Sequence, residues 1–186
     1  MKTTILARSC SAALLAACLP LAHAADWHPD AVTLKVGGGD SHAAMAGTGL
    51  RWDWDFERMR RKSELTAHTE LMLNGWRAEK PDRSGDRFYS QVVLLPSIRM
   101  RMARGASPVF LEFGIGLSWM NRKLETPDRQ FSTQWNFYDV LGLGYTIGGP
   151  QGKNEIDVRL VHFSNAGIKN PNPGLNFLQL RYSHEF

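Results

Sequence analysis

Three residues near the C-terminus have the types and spacing for acyl transfer. His162 and Ser164 are two apart, and Asn176 follows twelve residues later. A hydroxyl beside an imidazole that is itself held by an amide is an arrangement that activates serine as a nucleophile. The spacing carries meaning only if the segment is extended, because side chains two apart on a strand share a face. The same His-x-Ser pair also reads as two interfacial polar residues hydrogen-bonded to water. Which reading holds depends on the elements that carry them.

Around the pair, Ile156, Val158 and Leu160 share one parity, while Glu155, Asp157 and Arg159 share the other. His162 and Ser164 continue the apolar parity. In the segment near 175–186, Leu178, Leu180 and Tyr182 form the apolar face, and Asn176 falls on it. If the two segments pair across 165–174, Asn176 is expected opposite Ser164 with side chains about 5 Å apart. His162 is expected roughly 7 Å along the strand from Ser164. No other carboxylate takes an obvious place in the group, since Asp139 has inward parity under simple pairing. Glu155 and Glu185 belong to the opposite end.

The alternation recurs along the chain. Leu50, Trp52, Trp54 and Phe56 oppose Arg51, Asp53 and Asp55; Leu65, Ala67, Thr69, Leu71 and Leu73 oppose Glu64, Thr66, His68, Glu70 and Asn74. Period-two patterning of this kind marks strands with two unlike faces. It predicts eight strands, near 30–37, 45–56, 63–74, 88–100, 109–120, 134–147, 154–164 and 175–186. The connections near 57–62, 101–108 and 148–153 are short. Those near 75–87, 121–133 and 165–174 are longer, and 38–44 is short but belongs with them.

A soluble sandwich or lipocalin-like barrel would show the same alternation with apolar residues inside. Three features favour an all-β, eight-stranded antiparallel transmembrane barrel of the outer-membrane type occupying residues 25–186. Trp52, Trp54, Trp119, Trp135, Tyr145 and Tyr182 lie towards strand ends, as aromatic girdles do. The polar face holds both signs (Arg51, Asp53, Asp55, Glu70, Arg99, Glu112, Arg159, Arg181), which suits pairing in a closed lumen. The chain closes on Phe186 with Tyr182, Leu180 and Leu178 on its face, resembling the C-terminal strand of bacterial outer-membrane proteins; His184 departs from that pattern. Eight strands leave an interior that side chains fill, which argues against a diffusion pore.

The N-terminus agrees with that destination. Lys2 and Arg8 precede an apolar stretch from Ser9 to Leu21, and Ala22-His23-Ala24 offers a small-residue cleavage site, so residues 1–24 read as a secretory signal peptide. Leu15-Ala16-Ala17-Cys18 also resembles a lipoprotein box, but cleavage there would leave an odd apolar tether. Both cysteines, Cys10 and Cys18, lie within the signal, so neither disulfides nor thiolate metal sites are expected in the mature chain. A net charge of +4 over 186 residues, spread evenly, excludes a nucleic-acid binder with a concentrated basic face. His28, His42, His68 and His184 form no ligand constellation, so no metal or other cofactor is expected.

The run His162-Phe163-Ser164-Asn165-Ala166-Gly167-Ile168-Lys169-Asn170-Pro171-Asn172-Pro173-Gly174 resembles the C-terminal signature of the lipid A 3-O-deacylases of the PagL type. The resemblance implies a bacterial outer-membrane esterase that removes the ester-linked 3-hydroxyacyl chain from position 3 of lipid A in lipopolysaccharide. It implies Ser164 as nucleophile, His162 as general base, and Asn165 and Gly167 as oxyanion donors. The family's third member is typically a Glu at the position of Asn176; here an amide stands in its place, able to orient the imidazole but bearing no charge. Of the loop cations Arg77, Lys80, Arg83, Arg87, Arg122, Lys123, Arg129 and Lys169, Lys169 is the best candidate for attracting lipid phosphates, because it lies within the motif. A non-enzymatic small barrel, and an acyltransferase or phospholipase using the same residues, remain open at this stage, as does a homodimer.

Overall fold

The computed structural model describes residues 27–60 and 62–186. The signal-peptide expectation for 1–24 falls outside the described residues. Eight strands follow in order: β1 (Ala31–Gly39), β2 (Ala44–Met59), β3 (Ser63–Glu79), β4 (Asp86–Met102), β5 (Val109–Met120), β6 (Trp135–Ile147), β7 (Asn154–Ser164) and β8 (Leu175–Glu185). Each pairs antiparallel with its sequence neighbours, and β8 returns to β1, so the sheet closes into a barrel. Closure gives every ladder a partner, which is what allows strands to sit in hydrocarbon without unsatisfied backbone groups.

The faces are inverted relative to a water-soluble barrel. Along β5 every second residue is buried, and the exposed set is Val109, Leu111, Phe113, Ile115, Leu117 and Trp119. Leu34, Leu73, Leu94, Leu143, Leu160 and Leu178 likewise stand on the outer wall, each more than half exposed. An apolar belt of this extent is far larger than a soluble monomer tolerates and matches a lipid-facing wall. The lipocalin-like alternative therefore fails.

Inside, the lumen has two layers. The half nearer the β2–β3 and β6–β7 turns is ionic. Arg181 Nε meets Asp157 at 2.7 Å, Arg159 Nη1 and Arg181 Nη1 each reach Glu70 at 3.1 Å, and Glu155 gathers Arg51, Arg99 and Arg101. Such burial is tolerated because nearly every charge has an opposite neighbour and a hydrogen bond. The half nearer the long loops is aromatic, built from Trp76, Tyr89, Tyr138, Phe163 and Phe177. Leu124 and Phe131 of the 121–134 loop cap it. Side chains thus occupy both layers of the lumen.

Two strand expectations change. The β3–β4 ladder runs unbroken from Ser63↔Met102 to Glu79↔Asp86, so the predicted 75–87 loop shrinks to residues 80–85. Gly75, Arg77 and Glu79 suggested a loop, but Trp76 and Ala78 continue the inward parity and are fully packed. In β2 the register slips between Asp53 and Glu57, which leaves a bulge. From there the alternation of burial fails: Asp53, the last residue of the regular ladder and opposite His68, and Asp55 within the slip are both exposed. Asp53 still pairs with Arg51 at 2.9 Å.

Candidate active site

β7 and β8 carry the candidate residues at their loop ends. His162 and Asn176 both point out of the barrel and are exposed, and Ser164 is half-buried on the same face. The residues between them act as pegs. Phe163 and Phe177 turn inward, and the Phe163 ring lies 4.8 Å from Trp76 and 4.8 Å from Tyr138, edge to face. Alternation therefore does two jobs at once: each inward aromatic fixes the backbone that presents an outward polar group.

The register corrects one expectation. Asn176 opposes His162, not Ser164. The consequence is a direct contact, with Asn176 Oδ1 2.8 Å from His162 Nδ1. An amide oxygen only accepts, so Nδ1 carries the proton and Nε2 is left with its lone pair free. That is the tautomer a general base needs. No hydrogen bond joins Ser164 Oγ to His162 among the described residues; the pair shares one face at the two-residue spacing of a strand.

A second correction concerns Asp139. Its parity is outward, shared with Leu141 and Leu143, and it is the cross-strand partner of His162 on the side away from Asn176. The inward assignment rested on opposite parities pairing simply, whereas the actual register sets residue 139 against 162. Sequence reasoning weighed this residue but turned it inward. A carboxylate on an otherwise apolar outer wall was the available signal, because such groups are costly in lipid and mark functional sites.

Below this polar row lies an apolar one. Phe113 pairs with Leu141, Leu141 with Leu160, and Leu160 with Leu178. Phe113, Leu141 and Leu160 line a shallow cleft that Asp139, His162 and Asn176 close at its loop end. An imidazole at the head of an apolar groove suits an ester whose acyl part is a hydrocarbon chain.

The 165–174 loop is tied down from within. Asn165 is fully buried; its Nδ2 donates to Ser132 Oγ, Thr133 Oγ1 and the Lys169 carbonyl, and its backbone N–H donates to Asn172 Oδ1 at 3.0 Å. Both of its N–H groups are thus engaged within the protein. Gly167 adopts φ +72° and is exposed. Lys169 is exposed as well, while its carbonyl anchors Ser132 at 2.7 Å. Gly174 sits against the imidazole at φ +67°, where a Cβ would meet His162 Cε1 at 2.9 Å.

The chain is similar to known proteins in sequence and fold. A lipid A deacylase PagL of Bordetella bronchiseptica is 31% identical over 158 residues, covering 83% of both chains. A lipid A deacylase PagL of Pseudomonas aeruginosa is 28% identical over 171 residues, covering 91% of this chain and 94% of its own. The crystal structure of the outer membrane enzyme PagL superposes with a TM-score of 0.71 at 26% identity, over 84% of this chain and 99% of that one. The sequence model described as lipid A 3-O-deacylase (PagL) matches residues 45–185. With its barrel fold and these relatives, the chain belongs to the lipid A 3-O-deacylase (PagL) family and is a hydrolase of ester bonds in an outer-membrane β-barrel.

Proposed function

We propose that this protein removes the 3-hydroxyacyl chain esterified at position 3 of lipid A, working from the barrel wall within the bacterial outer membrane. The observation that carries the reading is the His162–Asn176 contact, on the outer face at the head of an apolar groove, with Ser164 on the same face. Residues 1–24 direct export. The lipid is met in its own leaflet, so it need not be extracted. Lys169, exposed on the loop above, attracts the lipid phosphates.

The chemistry follows from the tautomer. His162 Nε2 takes the Ser164 proton as Oγ attacks the acyl carbonyl. The resulting oxyanion is received by the Gly167 amide and by the Asn165 backbone N–H once it exchanges Asn172 Oδ1 for the substrate. Collapse expels the sugar 3-hydroxyl, which takes the proton from His162. Water, deprotonated by the same imidazole, then releases the fatty acid from Ser164.

The decisive experiment is refolded protein with purified lipid A in detergent, wild type against Ser164→Ala, read by mass spectrometry. Loss of one hydroxyacyl group with wild type only is expected. Equal product from both, or a gain in mass by an added acyl chain, overturns the proposal.

A further inference from the structure

An orienting amide has a weakness that a carboxylate lacks: it has two different ends. If the Asn176 side chain turned by 180°, its NH₂ would face His162, Nδ1 would become the acceptor, and the proton would move to Nε2. In that tautomer the imidazole cannot accept a proton from Ser164. Something must hold the amide one way round.

Asp40 occupies the required place. It lies in the β1–β2 turn, and its Oδ2 accepts from Asn176 Nδ2 at 3.2 Å and from the Asn176 backbone N–H at 3.2 Å. A carboxylate only accepts, so the contact is compatible with one amide orientation, Nδ2 towards Asp40 and Oδ1 towards His162. Asp40 is itself held by Arg129, whose Nη2 lies 3.2 Å from Oδ2. Arg129 also donates from Nη1 to the carbonyls of Pro173 and Gly174. The turn that presents Asp40 keeps Ser41 and His42 at φ 57° and 53°, a left-handed conformation that non-glycine residues hold at some cost and that clusters at functional sites.

From this geometry we infer that Asp40 is a positioning residue for catalysis, acting through Asn176 to set the tautomer of His162 and to supply the negative charge that Asn176 lacks. The chain His162–Asn176–Asp40 places a carboxylate one residue further from the imidazole than a Ser-His-carboxylate triad does. The charged groups around the imidazole are Asp139 on β6, Asp40 in the β1–β2 turn through Asn176, and Arg129 of the 121–134 loop behind Asp40. Asp128, bonded to Ser41 beside Asp40, also lies on that side; removal of Asp40 takes away the carboxylate joined to the imidazole through Asn176 and leaves Arg129 without that partner, which disfavours imidazolium.

The inference rests on the deacylase reading, and the test separates the two. Wild type, Ser164→Ala, Asp40→Asn, Asp139→Asn, Asn176→Asp and the double variant D40N/N176D are refolded, and heat-modifiable gel mobility checks barrel formation. Deacylation of lipid A is followed against pH. If wild type and Ser164→Ala are equally inactive or equally active, the deacylase reading fails whatever Asp40 does. Given an active wild type, Asp40→Asn is expected to lower kcat by about 10- to 100-fold, in the range for groups that orient a ligand or base, with KM unchanged because Asp40 does not line the cleft. The acid limb of its kcat/KM profile is expected at lower pH than in wild type. The double variant, which moves the carboxylate onto the imidazole and puts the donating amide behind it, is expected to recover at least the wild-type kcat. Wild-type kcat in Asp40→Asn overturns the inference. So does a loss with an unmoved acid limb, a double variant no better than Asp40→Asn, or an acid limb that moves with Asp139→Asn alone.

Discussion

Phe163 meets Trp76 edge to face at 4.8 Å, on the luminal side of the wall whose outer side carries His162 and Ser164. The strand end that carries these candidate residues is thus held from the luminal side by an aromatic peg. Phe163→Ala is expected to cost about 3–5 kcal/mol of stability, typical of a buried Phe truncation. Urea unfolding followed by gel mobility measures it. The activity of the protein that remains folded is expected to fall as well, because the backbone of 162–164 loses its register.

His162 is exposed and its hydrogen bond to Asn176 lies on the outer face, outside the luminal packing, so its removal is expected to leave the barrel intact. His162→Ala is expected to reduce kcat by about 10⁴-fold or more, as loss of a general base does in serine hydrolases. Unfolding midpoints within the error of wild type, beside that loss, are the expected pair of readings.

Gly174→Ala tests how tightly the imidazole is packed. The residue sits at φ +67° and a methyl group would press on His162 Cε1 at 2.9 Å. About 1 kcal/mol of backbone strain is expected, together with a fall in kcat as the ring leaves Asn176 Oδ1. Substrate affinity in the groove should change little, so the effect belongs in kcat and not in KM.

Arg159→Met is expected to be severe for stability. Arg159 is fully buried between Glu70, Glu112 and Asp157, and its loss leaves carboxylates in the lumen with fewer partners. Breaking one side of a buried ion cluster typically costs about 3–5 kcal/mol. A joint Arg159→Met, Glu112→Leu variant is expected to regain part of that loss, which unfolding of both variants by urea would measure.

Asn165→Ala removes three hydrogen bonds, two that tie the 165–174 loop to Ser132 and Thr133 and one that braces it internally at the Lys169 carbonyl. Activity is expected to fall at least 10-fold through displacement of the Gly167 amide, by the scale of losing an oxyanion donor. Asn165→Asp keeps the shape but reverses the donors to acceptors, so it is expected to be no better than Ala. Rates on lipid A decide between them.

Much of the architecture was legible from alternation. The β5 pattern is regular enough that its lipid-facing set could be named residue by residue, and the same holds for β7 and β8. The places where reading failed share a cause. The bulge at 53–57 and the register between β6 and β7 are properties of pairs of strands, so neither is written in either strand alone. Trp76 and Ala78 prolong β3 because the aromatic end of the lumen needs filling, a demand invisible in a stretch rich in Gly, Arg and Glu.

The candidate site divides along the same line. Period-two geometry by itself put His162, Ser164 and Asn176 on the outward face, since parity along one strand is fixed by the pleat. Their mutual arrangement needed the closed sheet. A shift of register sets Asn176 against His162 rather than Ser164, brings Asp139 beside the imidazole, and lets Asp40, 136 residues earlier, reach the Asn176 amide. The first two depend on the register of β7 with its neighbours, and the third on barrel closure, which sets the β1–β2 turn beside β8; no local stretch of sequence encodes either.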